Sequence, residues 1–454
     1  SKRSFRGLMK LLFSFLLCFS ISFSNNSNQG SLVSAEILDS MTSDEIYNLL
    51  FPHLGMMTPT NGYDVDIYSI TYETLDNDGQ STLASGAVAV PTSTSNFLPL
   101  LSYQHGTQLE RNSVNSVNGF DIPSMWLGTS GYITVLPDYL GFGISELFHP
   151  YMIYESSAIP IIDMLRATKE FCSLNTINVN NQLFLIGYSE GGYTTMATHK
   201  MIEELYSDEF EITASAPSAG PYDLSGTMAN LMLSFEPYGE PFYLPFTILS
   251  YQDKYSLVES LNEYFIDYYA EILPELFDGY HSIDDIHDIM PSIPIQIFKD
   301  EVIEEFSNNM QHPLRLRLYE NNLFDWVPQA NMKIFHSQQD ELVPIENSEL
   351  AYTNFILNGA PKVDFEFGPF GTHQNAAPII LIGAATWFGE FKRQGIEGDL
   401  NQDNYININD IMLLVSIILE LDYIENEHIW LADMNNNEII DIFDIIELVN
   451  YILD

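Results

Sequence analysis

Gly187-Tyr188-Ser189-Glu190-Gly191-Gly192 lies between the apolar run Leu183–Ile186 and a helix-like segment, Tyr193–Tyr206. A Gly-x-Ser-x-Gly at a strand-to-helix junction forces its serine onto a sharp turn, because glycines two residues either side let the backbone fold back without clashes. The hydroxyl is then exposed at the sheet edge, and the next backbone N–H points toward a developing oxyanion. The pattern alone is cheap in a chain of this length, so the strand before it and the helix after it carry the inference. Ser189 reads as a nucleophile.

A nucleophilic serine needs a base beside it and an acid to orient that base, in the order Ser…Asp/Glu…His for this kind of turn. The strand-like Met332–His336 runs into Ser337-Gln338-Gln339-Asp340-Glu341-Leu342-Val343-Pro344. Asp340 is the better acid, with the apolar Val-Pro anchoring the chain beyond it, and Glu341 is its rival. The next strand, Val363–Phe367, leads through a glycine-containing loop to His373. Among 10 histidines, His336 and His149 can be structural hydrogen-bonders. His373 alone has the right order and loop context for the base. On the oxyanion side, Leu98–Tyr103 ends in Gln104-His105-Gly106-Thr107. Thr107 and Glu190 are the expected backbone donors, although the loop also reads as an ordinary turn.

From Asp64 to about Gly389 strand-like and helix-like segments alternate. Val65–Thr74 and Leu83–Val90 read as a hairpin around Asn77-Asp78-Gly79, and six short apolar runs come after it, from Leu98–Tyr103 to Val363–Phe367. Short runs buried on both faces belong to parallel strands, so the fold class is α/β with a mostly parallel sheet. Between Ala219 and Ala330 the alternation stops in an aromatic-rich stretch holding Phe242, Tyr243, Phe246, Tyr251, Tyr255, Tyr264, Phe265, Tyr268 and Tyr269. A helical cap at about 220–330, over the C-terminal edge of the sheet, accounts for it. Apolar lining there favours apolar acyl or alcohol groups.

The 454 residues, 46% hydrophobic and 13% aromatic, exclude global disorder and leave room for a second, small domain. With 16 Lys+Arg against 62 Asp+Glu the formal charge is −46, which repels nucleic acid and anionic membranes. Lys2, Arg3, Arg6 and Lys10 precede the apolar Leu11–Phe23 and then a polar stretch, the layout of a secretory signal over 1–30. The apolar run is short for a spanning helix, so no stable membrane span is expected once the signal is cleaved, and a retained anchor is the competing reading. Cys18 follows Leu16 and Leu17 rather than small residues, which makes it a poor lipidation site. Cys172 is then the sole cysteine and has no partner for an intrachain disulfide.

Several spaced motifs together resemble the secretory-lipase family of α/β-hydrolases. These are Gln104-His105-Gly106-Thr107, Pro137-Asp138-Tyr139-Leu140-Gly141-Phe142-Gly143-Ile144-Ser145, His149-Pro150-Tyr151, the Ser189 turn and Pro217-Ser218-Ala219-Gly220-Pro221-Tyr222-Asp223-Leu224. The resemblance implies an α/β-hydrolase domain over 31–397, ester or lipid hydrolysis through an acyl-enzyme, and no cofactor for catalysis. Glu190 departs from it, since glutamine is expected there, and an acid beside the nucleophile weakens serine activation unless another group pairs with it. A prolyl-oligopeptidase-like peptidase shares the triad order, and a catalytically dead hydrolase fold serving as a binding component is the rival from another class.

Asp399-x-Asn401-x-Asp403-x-Tyr405 with Asp410 recurs 34 residues later as Asp433-x-Asn435-x-Asn437-x-Ile439 with Asp444. Side-chain oxygens at loop positions one, three, five and twelve, plus a carbonyl at seven, form a Ca2+ cage. Each loop runs into an apolar helix. The region 398–454 thus resembles a type I dockerin, which implies two Ca2+ ions and a cohesin-type partner; an acidic helical hairpin without metal is the alternative. Position six is Asn404 or Glu438 rather than the glycine of a full EF-hand, and Ile408-Asn409 and Ile442-Phe443 replace the small hydroxyl residues usual at the cohesin-contacting positions. Secretion, with attachment at a cell surface as a further possibility, is the expected location.

Overall fold

A computed structural model describes residues 28–393, 395–403, 405–424, 428–435, 437 and 439–453. The Leu11–Phe23 run expected to be a signal, with Cys18, and the sixth loop positions Asn404 and Glu438 lie outside the described residues. Among the described residues nine strands make one sheet: β1 (Leu32–Met41), β2 (Val65–Leu75), β3 (Ser81–Pro91), β4 (Leu98–Gln104), β5 (Ile133–Pro137), β6 (Val179–Tyr188), β7 (Ile212–Ser218), β8 (Asn331–Ser337) and β9 (Val363–Gly368), in the order β1-β2-β3-β5-β4-β6-β7-β8-β9. The first three strands are antiparallel and β3 joins β5 antiparallel; every later pairing is parallel. The sheet is α/β and mostly parallel, as the apolar runs imply.

The pleat sends alternate residues of β6 to opposite faces. Leu183 and Leu185 join the core under α1 (Tyr154–Leu174) and α2 (Glu190–Leu205), whereas Phe184 and Ile186 pack under α3 (His373–Phe388). Helices on both faces explain why the strand reads as an unbroken apolar run. The edge strand β1 and the helix Ser43–Leu54 precede the first segment read from sequence. β1 pairs along β2 from Leu32↔Tyr72 to Met41↔Val65, and the helix starts on a Thr42–Glu45 capping box. Cys172 is buried in α1, and burial pushes its thiol up to about 12, so it is inert.

The cap is inserted between β7 and β8, with its principal helices at Tyr243–Tyr255, Asp267–Leu276, Asp300–Asn308 and Pro313–Glu320. Of its aromatics, Phe242, Phe246, Tyr251, Tyr264 and Phe265 are buried, while Tyr268 is exposed. Most of the stripe is therefore packing rather than ligand wall. At the C-terminus, Ile408–Ile418 and Ile442–Leu453 pack around a separate small core of Leu400, Leu414, Leu431, Ala432 and Leu448. The junction is tied to the large domain: Gly395 N–H donates to the Phe97 carbonyl at 3.1 Å, and the Arg393 guanidinium lies over the Trp430 ring. No helix among the described residues is long and apolar enough to cross a membrane.

Candidate active site

Ser189 is the residue between β6 and α2, with φ 62° and ψ −123°. A non-glycine residue held at positive φ is strained and persists only where its surroundings fix it. Here its N–H donates to Ser218 O at 3.0 Å, and glycines close the turn. A Cβ on Gly187 would lie 2.2 Å from Gly191 O, and one on Gly192 2.1 Å from Ser218 O. The helix can begin directly under the serine only because those positions carry no side chain.

His373 opens α3, reached from β9, and its Nε2 lies 2.8 Å from Ser189 Oγ. Its Nδ1 lies 2.6 Å from Asp340 Oδ2. A carboxylate only accepts, so Nδ1 carries the proton and Nε2 is left to accept from the serine. Asp340 Oδ1 accepts the Leu342 and Val343 N–H groups at 3.0 and 2.8 Å. Glu341 does not reach the imidazole ring. Its carboxylate accepts the His373 backbone N–H at 3.0 Å and so satisfies a donor at the start of α3.

His336, fully buried, was legible in sequence only as a structural hydrogen-bonder. Its Nε2 lies 2.8 Å from Val343 O and 3.2 Å from Asp340 Oδ2, and its Nδ1 2.7 Å from Ser348 Oγ. Burial by itself would raise the Asp340 carboxyl, but hydrogen bonds from His336 and His373 outweigh it and hold the group well below the usual carboxylate range. Asp340 therefore stays ionised beside His373.

Thr107 follows β4 and borders the same cleft as Ser189 and His373, its hydroxyl 3.0 Å from the Tyr151 phenol. His105 stacks on Tyr139 with centroids 4.0 Å apart, and the Tyr139 hydroxyl donates to His105 O at 2.9 Å. Glu190, at the first position of α2, is buried with Oε1 2.7 Å from His149 Nε2. The acid next to Ser189 is thus partnered by His149.

Two cavities meet at Ser189. One, of about 100 Å³, runs into the cap between Met228, Met232, Tyr243, Phe306 and Leu318 and is almost wholly apolar. The other, of about 590 Å³, opens past His373 and is lined by Asn115, Asn118, Gln108, Glu240 and aromatic rings such as Tyr103 and Phe120. Tyr243 borders both.

In the C-terminal module Asp410 and Asp444 are fully buried. Asp410 accepts the Asn401 and Asn407 N–H groups at 3.2 and 2.9 Å, and Asp444 those of Asn435 and Asp441 at 3.3 and 2.7 Å. Asp399 and Asp433 accept from Asp403 and Asn437 at the fifth positions. The loops are thus wound with their side-chain oxygens turned inward, and no Lys or Arg follows Arg393 to balance them. A cation fits that donor set. Among the described residues no three Asp, Glu, His or Cys side chains are grouped so as to hold a metal ion.

A mostly parallel sheet, a serine on the turn after β6 and a cap inserted after β7 define an α/β-hydrolase. The secretory lipase family matches residues 120–231, and the dockerin type I domain matches 397–453. A hydrolase from Legionella pneumophila is 32% identical, with a TM-score of 0.74, over 79% of this chain and 98% of that one. The rice cell wall degrading esterase LipA from Xanthomonas oryzae, in a ligand-bound form, is 30% identical with a TM-score of 0.71, over 79% and 96%. Candida antarctica lipase A, at 17% identity and a TM-score of 0.57 over 76% and 78%, shares the fold. A search of curated proteins found no match. The chain belongs to the lipase and esterase family of α/β-hydrolases and carries a dockerin type I module at its C-terminal end.

Proposed function

We propose that this chain is a secreted serine esterase or lipase that cleaves carboxylic esters through an acyl-enzyme and is attached through a calcium-binding dockerin. The hydrogen-bonded run Ser189–His373–Asp340, at 2.8 and 2.6 Å, carries the reading. Ser189 Oγ attacks the ester carbonyl as His373 Nε2 takes its proton. The Thr107 and Glu190 N–H groups hold the resulting oxyanion, and Asp340 keeps the imidazole in the tautomer that can accept. The same proton then goes to the departing alkoxide. Water attacks the acyl-enzyme by the reverse sequence and frees the acid.

The apolar cavity suits the acyl chain, and the polar cleft suits a hydroxyl-bearing alcohol. An esterified polysaccharide fits that division, in line with the cell wall degrading activity named for LipA. In the C-terminal module, Asp399, Asn401, Asp403, Asp410 and the Tyr405 carbonyl hold one Ca2+. Asp433, Asn435, Asn437, Asp444 and the Ile439 carbonyl hold a second, and a cohesin-type protein is the partner.

S189A removes the attacking atom. It is expected to lose at least about 10³-fold in kcat on p-nitrophenyl esters, together with all labelling by a fluorophosphonate probe. Full-rate hydrolysis by S189A would end the serine mechanism.

A further inference from the structure

The buried contact between Glu190 and His149 has a proton count that decides its charge. Leu140 O lies 2.8 Å from His149 Nδ1 and is an acceptor only, so Nδ1 carries a proton. Nε2 lies 2.7 Å from Glu190 Oε1, and a proton must lie between two such atoms at that distance. Either the imidazolium faces a carboxylate or the neutral ring faces a carboxylic acid. In both cases the charges of the pair sum to zero.

That neutrality bears on the chemistry because of where Glu190 sits. Its backbone N–H is at the start of α2, where the helix dipole presents positive charge to an oxyanion. A bare carboxylate at the same residue would oppose that field. It would also be poorly screened, for Glu190 is 3% exposed and among the described residues its Oε2 has no hydrogen-bond partner. The rings of Tyr139, Phe142, Tyr151 and Phe246 enclose the histidine. Burial holds the Tyr139 and Tyr151 phenols well above their ordinary value, so they stay neutral. The Gly141 backbone runs close against His149, where a Cβ on Gly141 would fall 2.7 Å from its backbone N.

We infer that His149 is a positioning residue for the oxyanion site: it cancels the charge of Glu190 and pins the start of α2 to the loop between β5 and α1. The inference rests on the serine mechanism. It predicts an unusual order of rates, in which a second lesion repairs the first. H149A leaves a buried, uncompensated carboxylate beside the oxyanion, and its kcat is expected to fall about 100-fold with KM within about threefold of wild type. H149A/E190Q removes that charge and is expected to recover at least about tenfold over H149A, while E190Q alone falls between wild type and H149A. A double variant no faster than H149A would overturn the inference, because lost packing alone would then explain the defect. If H149A fails to fold, folding of H149A/E190Q supports the charge argument, and failure of both refutes it. S189A separates the two readings. If S189A is inactive and the double variant is unrepaired, only this inference falls; if S189A is active, the serine reading falls first.

Discussion

Gly191→Ala tests the geometry linking the nucleophile turn to the oxyanion loop with a single methyl group. Gly191 is the second residue of α2 and packs on the end of β4. A Cβ there would lie 2.0 Å from Gln104 O and 2.8 Å from His105 O, whereas ordinary contact begins at 3.4 Å. Helix and strand end must therefore separate by roughly 1.4 Å. Gln104 and His105 lead directly into Gly106-Thr107, so the displacement falls on the donor proposed at Thr107 while the one proposed at Glu190 stays with α2. A misplacement of about 1 Å costs about 10²-fold in rate, equivalent to about 2.7 kcal/mol of transition-state stabilisation. Overpacking costs a further 1–3 kcal/mol or so of stability. The assay is kcat/KM on p-nitrophenyl butyrate beside a thermal melt. Gly383→Ala is the control, since a Cβ there meets only Phe335 Cε1 at 3.8 Å and a helix-interior alanine gains about 0.5–1 kcal/mol. If Gly191→Ala keeps kcat/KM within about threefold of wild type, the close approach does not set the oxyanion geometry.

Leu318→Trp, in the apolar cavity, is expected to slow hydrolysis of dodecanoyl esters at least about tenfold while leaving acetate within about threefold. Equal slowing across the chain-length series would mean that the acyl group lies elsewhere. Asp163, buried in α1, accepts from Thr74 Oγ1 at 2.7 Å and Arg166 Nη1 at 2.6 Å. Burial pushes its carboxyl up to about 6, with those partners offsetting only part of the effect. A carboxyl raised above its unfolded value of 3.8 adds stability that is fully present below about pH 3.8 and lost as pH rises through about 6, at most about 3 kcal/mol. D163N should flatten the stability curve between pH 4 and 7, and an unchanged slope in urea melts would remove Asp163 as its source. A chelator should unfold the C-terminal module, seen as lost helical ellipticity reversed by added Ca2+, while esterase activity persists. A module whose fold ignores the chelator would not be a calcium-dependent one.

The parts of the fold that could be read in advance are those where burial leaves a local mark. Strands β4 to β8 lie inside the sheet, and each reads as a short apolar run, whereas β9 is an edge strand with Asp364, Glu366 and Phe367 exposed. β1 escaped notice because it is an edge strand whose side chains are mostly exposed, and VSAEILDS shows no clean alternation. The cap was visible only as an interruption, since its aromatics pack in several directions and Tyr268 and Tyr280 face solvent. Its two cavities depend on how helices distant in sequence cross.

The same reasoning separates the parts of the site. Ser189, Asp340 and His373 each end or follow a strand, so local context pointed to the stretches that hold them, and the structure brings the three side chains together. The choice between Asp340 and Glu341 was not local: a one-residue step sends one carboxylate to the imidazole and the other to the His373 backbone N–H. Glu190 shows the limit most clearly. Beside a nucleophile an isolated acid reads as a defect, because sequence shows the charge and not its compensation. The compensating histidine lies 41 residues away in an irregular loop, where no periodicity or spacing signals a contact. In the sequence His149 reads only as part of a His-Pro-Tyr motif and as a structural hydrogen-bonder. Its Nδ1 contact with Leu140 O settles the proton count, and a carbonyl acceptor leaves no trace in residue identity. What sequence missed here is a charge state imposed by a backbone atom.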